Sequence, residues 1–386
     1  MKKQAGFTMI EFMIAMGVTL VVLAAAVGAI MSTTRSNQNV ALTADLNDNL
    51  RASLNLVRQD IVLAGEGIPV GGISIPSGPG ITVNRPGPVA LRFQQPFLPA
   101  ISLGTALGPT VPILIRPGVA PGPGAPSDMI TLIYQDNTWD SNPAANRPTA
   151  LDSAPITRAA VGATPACNGS VTALGDAVTF DPNCVDMSRA RVPVQPGDLF
   201  MFSNVNGTAL QTVTTINGQV VDFAGNPAVD KFELNQTRAD QGTIVQLQNK
   251  VPVAGTSNPV QYTYLGTYPP TTATRIWMIS YYLDIATDPQ HYRLVRQVNF
   301  NPAQPVAEVI EGLQFTYNFV DANVPPTIYA NSTTVPAGLS ENYIRSVNLF
   351  LGARANVPSG SNSTYLRDNM KTQISVRSLA YYNKYN

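Results

Sequence analysis

The chain has 386 residues, of which 44% are hydrophobic and only 12% charged, with 24 basic side chains against 24 acidic, 32 prolines, 29 glycines, two cysteines and one histidine. That is about half the charge of an average soluble domain and, at about 8%, an excess of proline, a composition suited to an assembly or a membrane. Zero net charge supplies no field for nucleic acid, and His291 alone leaves one base for a Ser-His-Asp or Cys-His system and no set of imidazoles for a His-rich zinc site.

The first predicted element lies near the N-terminus. Residues 12–31 contain a single polar side chain, Thr19, and twenty residues at ~1.5 Å each span about 30 Å, the thickness of a hydrocarbon core. Lys2 and Lys3 precede the run, and Glu11 is the sole other charge before Arg35, so the basic flank holds the N-terminus in the cytoplasm. The run is longer than that of a secretory signal, and no small-residue cleavage site follows it. A carboxylate within a spanning helix costs about 2.5–3.5 kcal/mol on the insertion scale and needs a partner, yet no cation in this helix can reach Glu11. Ala15, Gly17, Ala24, Ala25, Ala26, Gly28 and Ala29 would let other helices approach closely.

Just before the run stands Gly6-Phe7-Thr8-Met9-Ile10-Glu11: a short basic leader ending in glycine, then a phenylalanine, with glutamate fifth from the cut. This resembles the prepilin signature of the type IV pilin superfamily, which includes the pilins and the pseudopilins of type II secretion. The resemblance implies cleavage by prepilin peptidase between Gly6 and Phe7 and N-methylation of Phe7. It also implies that the Glu11 carboxylate pairs with the N-terminal amine of an adjacent subunit. Many major pilins have a proline where Gly28 falls. A plain signal anchor with Glu11 at the interface is the other reading of the same residues.

The helix is predicted to continue beyond the membrane. Leu42, Leu46, Leu50, Leu54, Val57 and Ile61 recur every three or four residues, with Asp45, Asn49, Arg51, Asn55, Arg58 and Asp60 off that stripe, which describes an amphipathic stem with one buried face. Gly65 and Gly67 followed by Pro69 end it. Residues 65–127 are crowded with glycine and proline, which exclude long helices and central strands. Short strands are expected at 89–93 and 111–115 within a surface layer. From Asp128 onward the pattern is β: MITLIY, DLFMFS, LQTVTTI, QVVDF, TIVQLQ, VQYTYLG, RIWMISYYL, YRLVRQVNF, LQFTYNFV, IRSVNLFLGARA and TQISVRSLAYY, separated by turns such as Asn206-Gly207 and Asn217-Gly218. The expected fold class is α+β, a long N-terminal pilin helix packed on a large antiparallel β-sheet head. The expected organisation is a leader at 1–6, a transmembrane or filament-core helix at 7–31, an amphipathic stem at 32–64, a Pro/Gly-rich layer at 65–127 and a β-rich head at 128–386.

The order of several pieces is similar to that of the PilW-type minor pilins: LNDNLRASLNLVRQDIVLAGEGI in the stem, SDMITLIY, VQPGDLFMFSNVNGTALQTVTTI, WMISYYLDIATDPQHYRLVRQV, VIEGLQFTYNFV, NYIRSVNLFLGARA and the closing DNMKTQISVRSLAYYN. The resemblance implies a subunit that primes or caps a type IV pilus, with prepilin peptidase, other minor pilins, the major pilin, the inner-membrane assembly platform and a tip adhesin as partners. It implies a single-pass inner-membrane protein with a periplasmic head that later reaches the cell surface. A J-like pseudopilin of type II secretion and a membrane-anchored adhesin are the alternatives.

Cys167 and Cys184 fall on the exported side, where a disulfide persists; the bridge would close an 18-residue loop and add about 3 kcal/mol in the loop-entropy account. Two free thiols, or half a metal site lacking its other ligands, are the rival readings. His291 follows Asp288-Pro289 and reads as a turn residue with no nucleophile at a useful spacing. The oxygen-rich 136–142 loop could hold Ca²⁺ but lacks the glycine and distal glutamate of an EF-type loop. Tyr262, Tyr264, Tyr268, Trp277, Tyr281 and Tyr282 fit cross-strand pairs and core as readily as a binding surface. No enzymatic activity, cofactor or metal is expected.

Overall fold

A computed structural model describes residues 8–116, 119–136, 153–157, 169–181, 194–236, 242–255, 261–323, 325–359 and 364–376. Helix α1, Met9–Leu63, runs unbroken for 55 residues, about 80 Å at 1.5 Å per residue. It starts at a capping box: Thr8 caps the helix while the Glu11 carboxylate takes the Thr8 backbone N–H. It ends where Gly65 adopts φ 82° and its N–H turns away to donate to the Ile133 carbonyl at 2.8 Å. Glycine reaches that left-handed backbone without a Cβ penalty, and the helix is thereby joined to the head.

Two antiparallel sheets pack against the stem and position it, beside a four-stranded sheet of short strands at Ser170–Val171, Ala177–Thr179, Val220–Asp222 and Thr215–Asn217. The larger contains β1 (Ile101–Gly104), β2 (Met129–Gln135), β3 (Ser153–Thr157), β4 (Leu199–Asn204), β5 (Gly207–Thr212), β6 (Thr271–Asp284), β7 (Arg293–Val298) and β8 (Gln304–Glu308). The 14-residue β6 organises it. On one edge β6 pairs first with β4 and then with β7; on the other it pairs with β3 and β2. The smaller sheet has the order β10 (Ile328–Ser332), β9 (Ile310–Val320), β11 (Ile344–Arg354), β12 (Arg367–Ser375).

Alternation decides which way each strand faces. From β6, Ile279, Tyr281 and Leu283 join Leu46, Leu50, Val57 and Ile61 of the stem in a core that also takes Leu313, Phe315 and Tyr317 from β9 and Val347, Leu349 and Leu351 from β11. The opposite face of β6 sends Ile276 and Met278 into a second cluster with Ile73, Ile75, Val83 and Leu98. The Pro/Gly-rich segment therefore backs the main sheet. Its strands Leu91–Phe93 and Thr110–Arg116 lie in two-stranded ribbons, and its Ile101–Gly104 pairs along β2.

Arg85 fastens this layer. It is 6% exposed and donates to Thr131 Oγ1 at 3.0 Å and to the carbonyls of Leu103 and Ser102 at 2.6 and 2.9 Å. Burial depresses its pKa to about 10.

One expected strand is corrected. TIVQLQ forms a 3₁₀ turn at Ile244–Leu247, because its two apolar ends, Ile244 and Leu247, are three residues apart and both enter the core. Residues three apart eclipse on a 3₁₀ helix, whereas on a strand they would face opposite sides.

Candidate functional site

The assembly end of α1 comes first. Glu11 sits at the third helical position, and its Oε2 accepts from the Thr8 N–H at 2.9 Å and the Thr8 hydroxyl at 3.0 Å. The carboxylate is thus held over the helix N-terminus, where the helix dipole favours negative charge. Gly6 and Phe7 lie outside the described residues, as do Cys167, Cys184 and residues 137–142 of the oxygen-rich loop. Of that loop, Asp136 is buried, and its Oδ2 lies 3.4 Å from Arg275 Nε.

Among the described residues, the helix beyond Glu11 runs clear of its own head until Arg35. Every residue from 8 to 38 is exposed, and the first half-buried position is Asn39. The apolar window has a mean hydropathy of 2.5 and is 0% buried, with Phe12, Met13, Ile14, Leu20, Val21 and Leu23 exposed. A helix apolar all round requires lipid or other helices against it. Three of its threonine hydroxyls are satisfied within the helix: Thr19 donates to the Ala15 carbonyl at 2.7 Å, Thr33 to Ala29 at 2.9 Å and Thr34 to Ile30 at 2.9 Å. That removes the cost of an unpaired donor in hydrocarbon. A Cβ added at Gly17 or Gly28 would meet no atom of this chain, so nothing intramolecular requires glycine at either position.

The other half of the helix is fixed to the head through Asp60. Its Oδ1 accepts from the Tyr134 hydroxyl at 2.9 Å and its Oδ2 from the Tyr281 hydroxyl at 2.5 Å. Arg296 closes the set, with Nε 2.7 Å from Oδ2 and Nη2 3.3 Å from Oδ1. Strands β2, β6 and β7 each contribute one partner. Burial, reinforced by the charge of Asp60, pushes both tyrosine hydroxyls well above the ordinary range. Burial opposes the charge on Arg296, but the hydrogen bond and charge of Asp60 outweigh it and raise its pKa.

The stripe reading had placed Asp60 on the solvated face, and the structure overturns that. The signal was there in the spacing: the buried positions Leu46, Leu50, Ser53, Val57, Asp60 and Ala64 follow steps of four and three. Asp60 lies on that line one residue before Ile61, and only its charge argued for the outside. Of the aromatics weighed earlier, Tyr281 and Tyr282 are buried, whereas Tyr262 and Tyr264 are exposed on a two-stranded ribbon with Lys250–Pro252.

A second buried carboxylate ties the smaller sheet: Glu311 Oε1 lies 2.9 Å from Arg354 Nε and its Oε2 2.8 Å from Arg367 Nε. His291 sits in its turn, half-buried, with Nδ1 2.9 Å from Asp288 Oδ2. Among the described residues no group of three or more His, Cys, Asp or Glu side chains could hold a metal.

Residues 1–27 match the family model of the prokaryotic N-terminal methylation motif. Comparison with curated proteins and with solved structures returns no match. The chain therefore carries a type IV pilin-like prepilin signal, continuous with a helix long and apolar enough to cross a membrane, ahead of a β-rich head.

Proposed function

We propose that the chain is a minor subunit of a type IV pilus, of the PilW type. It is made as a precursor, cut between Gly6 and Phe7 by prepilin peptidase and N-methylated on Phe7. It is then assembled at the inner-membrane platform with other minor pilins and the major pilin into a complex that starts the filament and stays at its tip, where an adhesin can join it. The observation that carries this reading is the division of one continuous helix: residues 8–38 are exposed and, as far as Met31, almost wholly apolar, and the half from Asn39 onward is built into the head. Such a helix can leave lipid and enter a bundle of like helices without disturbing the head. Glu11 then exchanges part of its local hydrogen bonding for the α-amine of a neighbouring Phe7, which neutralises two charges that hydrocarbon disfavours. A head this large would crowd its neighbours at every position of a thin filament, which favours the tip.

The N-terminus of the mature protein is the decisive measurement. Mass spectrometry of protein isolated from cells that make prepilin peptidase should find Phe7 first and methylated; retention of Lys2 or Lys3 overturns the reading. Deleting the chain should reduce pilus number. A loss of type II secretion with pili intact would assign it instead to the pseudopilins. We further propose a Cys167–Cys184 disulfide in the oxidising exported compartment, visible as thiols that alkylate only after reduction.

A further inference from the structure

The outer face of the smaller sheet, opposite the face that packs on α1, is built differently from an ordinary solvated sheet surface. Directly paired residues share a face. The pairs Gln314 with Phe350, Thr316 with Asn348, Phe350 with Lys371 and Asn348 with Gln373 therefore place six side chains from three strands side by side. They line a groove of about 430 Å³, within the range of small-ligand sites. Phe350, 4% exposed, forms an apolar floor.

The polar side chains are cross-linked. Asn348 Nδ2 lies 3.1 Å from Thr316 Oγ1, 3.3 Å from Asn318 Oδ1 and 3.0 Å from Asn331 Oδ1. Gln373 Nε2 donates to Ser346 Oγ at 2.9 Å, and Asn318 Nδ2 donates to the same oxygen at 2.8 Å. Asn331 forms the wall from β10. It holds φ 55°, a left-handed backbone that asparagine tolerates better than most residues, beside an irregularity in the β9–β10 register. Side chains locked in this way lose little entropy when a ligand arrives.

We propose that this groove is a carbohydrate-binding site. The strands of its floor have their backbones paired on both sides, β9 between β10 and β11, and β11 between β9 and β12, so no peptide can add to them as a strand. Over β9 and β11 recognition therefore passes through side chains, and the described residues there offer neutral amides and hydroxyls, with the cation Lys371 on the edge strand β12. One cation is too few for a nucleic-acid backbone or an anionic membrane. Neutral amide and hydroxyl groups set side by side, as donors and acceptors, match the hydroxyls of a sugar. The groove faces away from α1, so it stays open when the helix is packed among others.

The full chain in zwitterionic, sugar-free micelles tests this with cellotriose, triacetylchitotriose and trigalacturonate as probes. Saturation-transfer NMR and calorimetry should show saturable binding of at least one. Asn348→Leu, which removes the central amide, and Gln314→Ala, which removes a lining amide, should each weaken that binding about tenfold with the thermal unfolding midpoint of Gln314→Ala unchanged. If Asn348→Leu fails to fold, Gln314→Ala decides alone. No transfer to any of the three sugars, or binding that Gln314→Ala leaves intact, overturns the proposal.

Discussion

The Asp60 carboxylate and the Arg296 guanidinium meet at 2.7 Å across 236 positions of sequence, one on the stem helix and the other on a central strand of the head. With the hydroxyls of Tyr134 and Tyr281 they fill the acceptor sites of one buried carboxylate. This contact determines how the stem is seated: an apolar stripe alone resists separation from a sheet but resists sliding along it poorly, whereas hydrogen bonds are directional.

Replacing Asp60 with alanine should leave the Arg296 charge and two hydroxyls without their acceptor. Breaking a buried pair in this way costs about 3–5 kcal/mol. Urea unfolding of the full chain should show that loss, while Arg58→Ala, on the exposed side of the same turn, should stay within about 0.5 kcal/mol.

The tyrosine hydroxyls impose a limit at alkaline pH. Tyr134, Tyr281 and Tyr317 are all raised above the ordinary value of 10.0, burial being the main cause. Above that value the unfolded chain gives up these protons while the folded chain keeps them, so the unfolded state binds fewer protons and stability falls as pH rises. Their contribution is fully present below about pH 10 and is progressively lost above it. Thermal unfolding midpoints measured from pH 8 to 11.5 should be flat in this respect at first and then drop, and Tyr281→Phe should make the drop shallower.

Because residues 8–34 are exposed and the groove between helix and head begins at Arg35, removing residues 1–34 should yield a soluble protein with the unfolding midpoint of the full chain. A shift of more than a few degrees would mean that the exposed half of α1 supports the head.

Glu11→Ala should separate assembly from folding. The head should unfold at the same denaturant concentration as before, since among the described residues the Glu11 carboxylate is hydrogen-bonded to Thr8 and lies far from the head, while incorporation into filaments, followed by immunoblot of the sheared fraction, should fall severely. Equal incorporation of the variant would remove the charge-pairing role.

Packing at Leu50, which is fully buried between stem and sheets, provides a scale for these effects. Leu50→Ala should cost about 2–5 kcal/mol through lost transfer energy and a residual cavity, measured by the same urea titration.

Local order was largely legible in the amino-acid sequence. The apolar run, Glu11 within it, the stem stripe and its glycine stop all depend on residues close together in the chain, and α1 runs almost as the periodicity requires. The alternation in 293–298 likewise marks a strand. The exception at Ile244–Leu247 has a local cause too: four residues with apolar ends suit a strand run or a tight turn equally, and the core chose the turn. What only the tertiary structure decided is where charge may be buried. Asp60, Glu311 and Arg85 look like surface residues in sequence, because their partners lie tens to hundreds of positions away and desolvation is tolerable only once those partners are in place. The low charge of the chain was evident from composition; that part of what charge there is pins the stem and the smaller sheet from within was settled by packing, since no local pattern encodes a contact between distant strands.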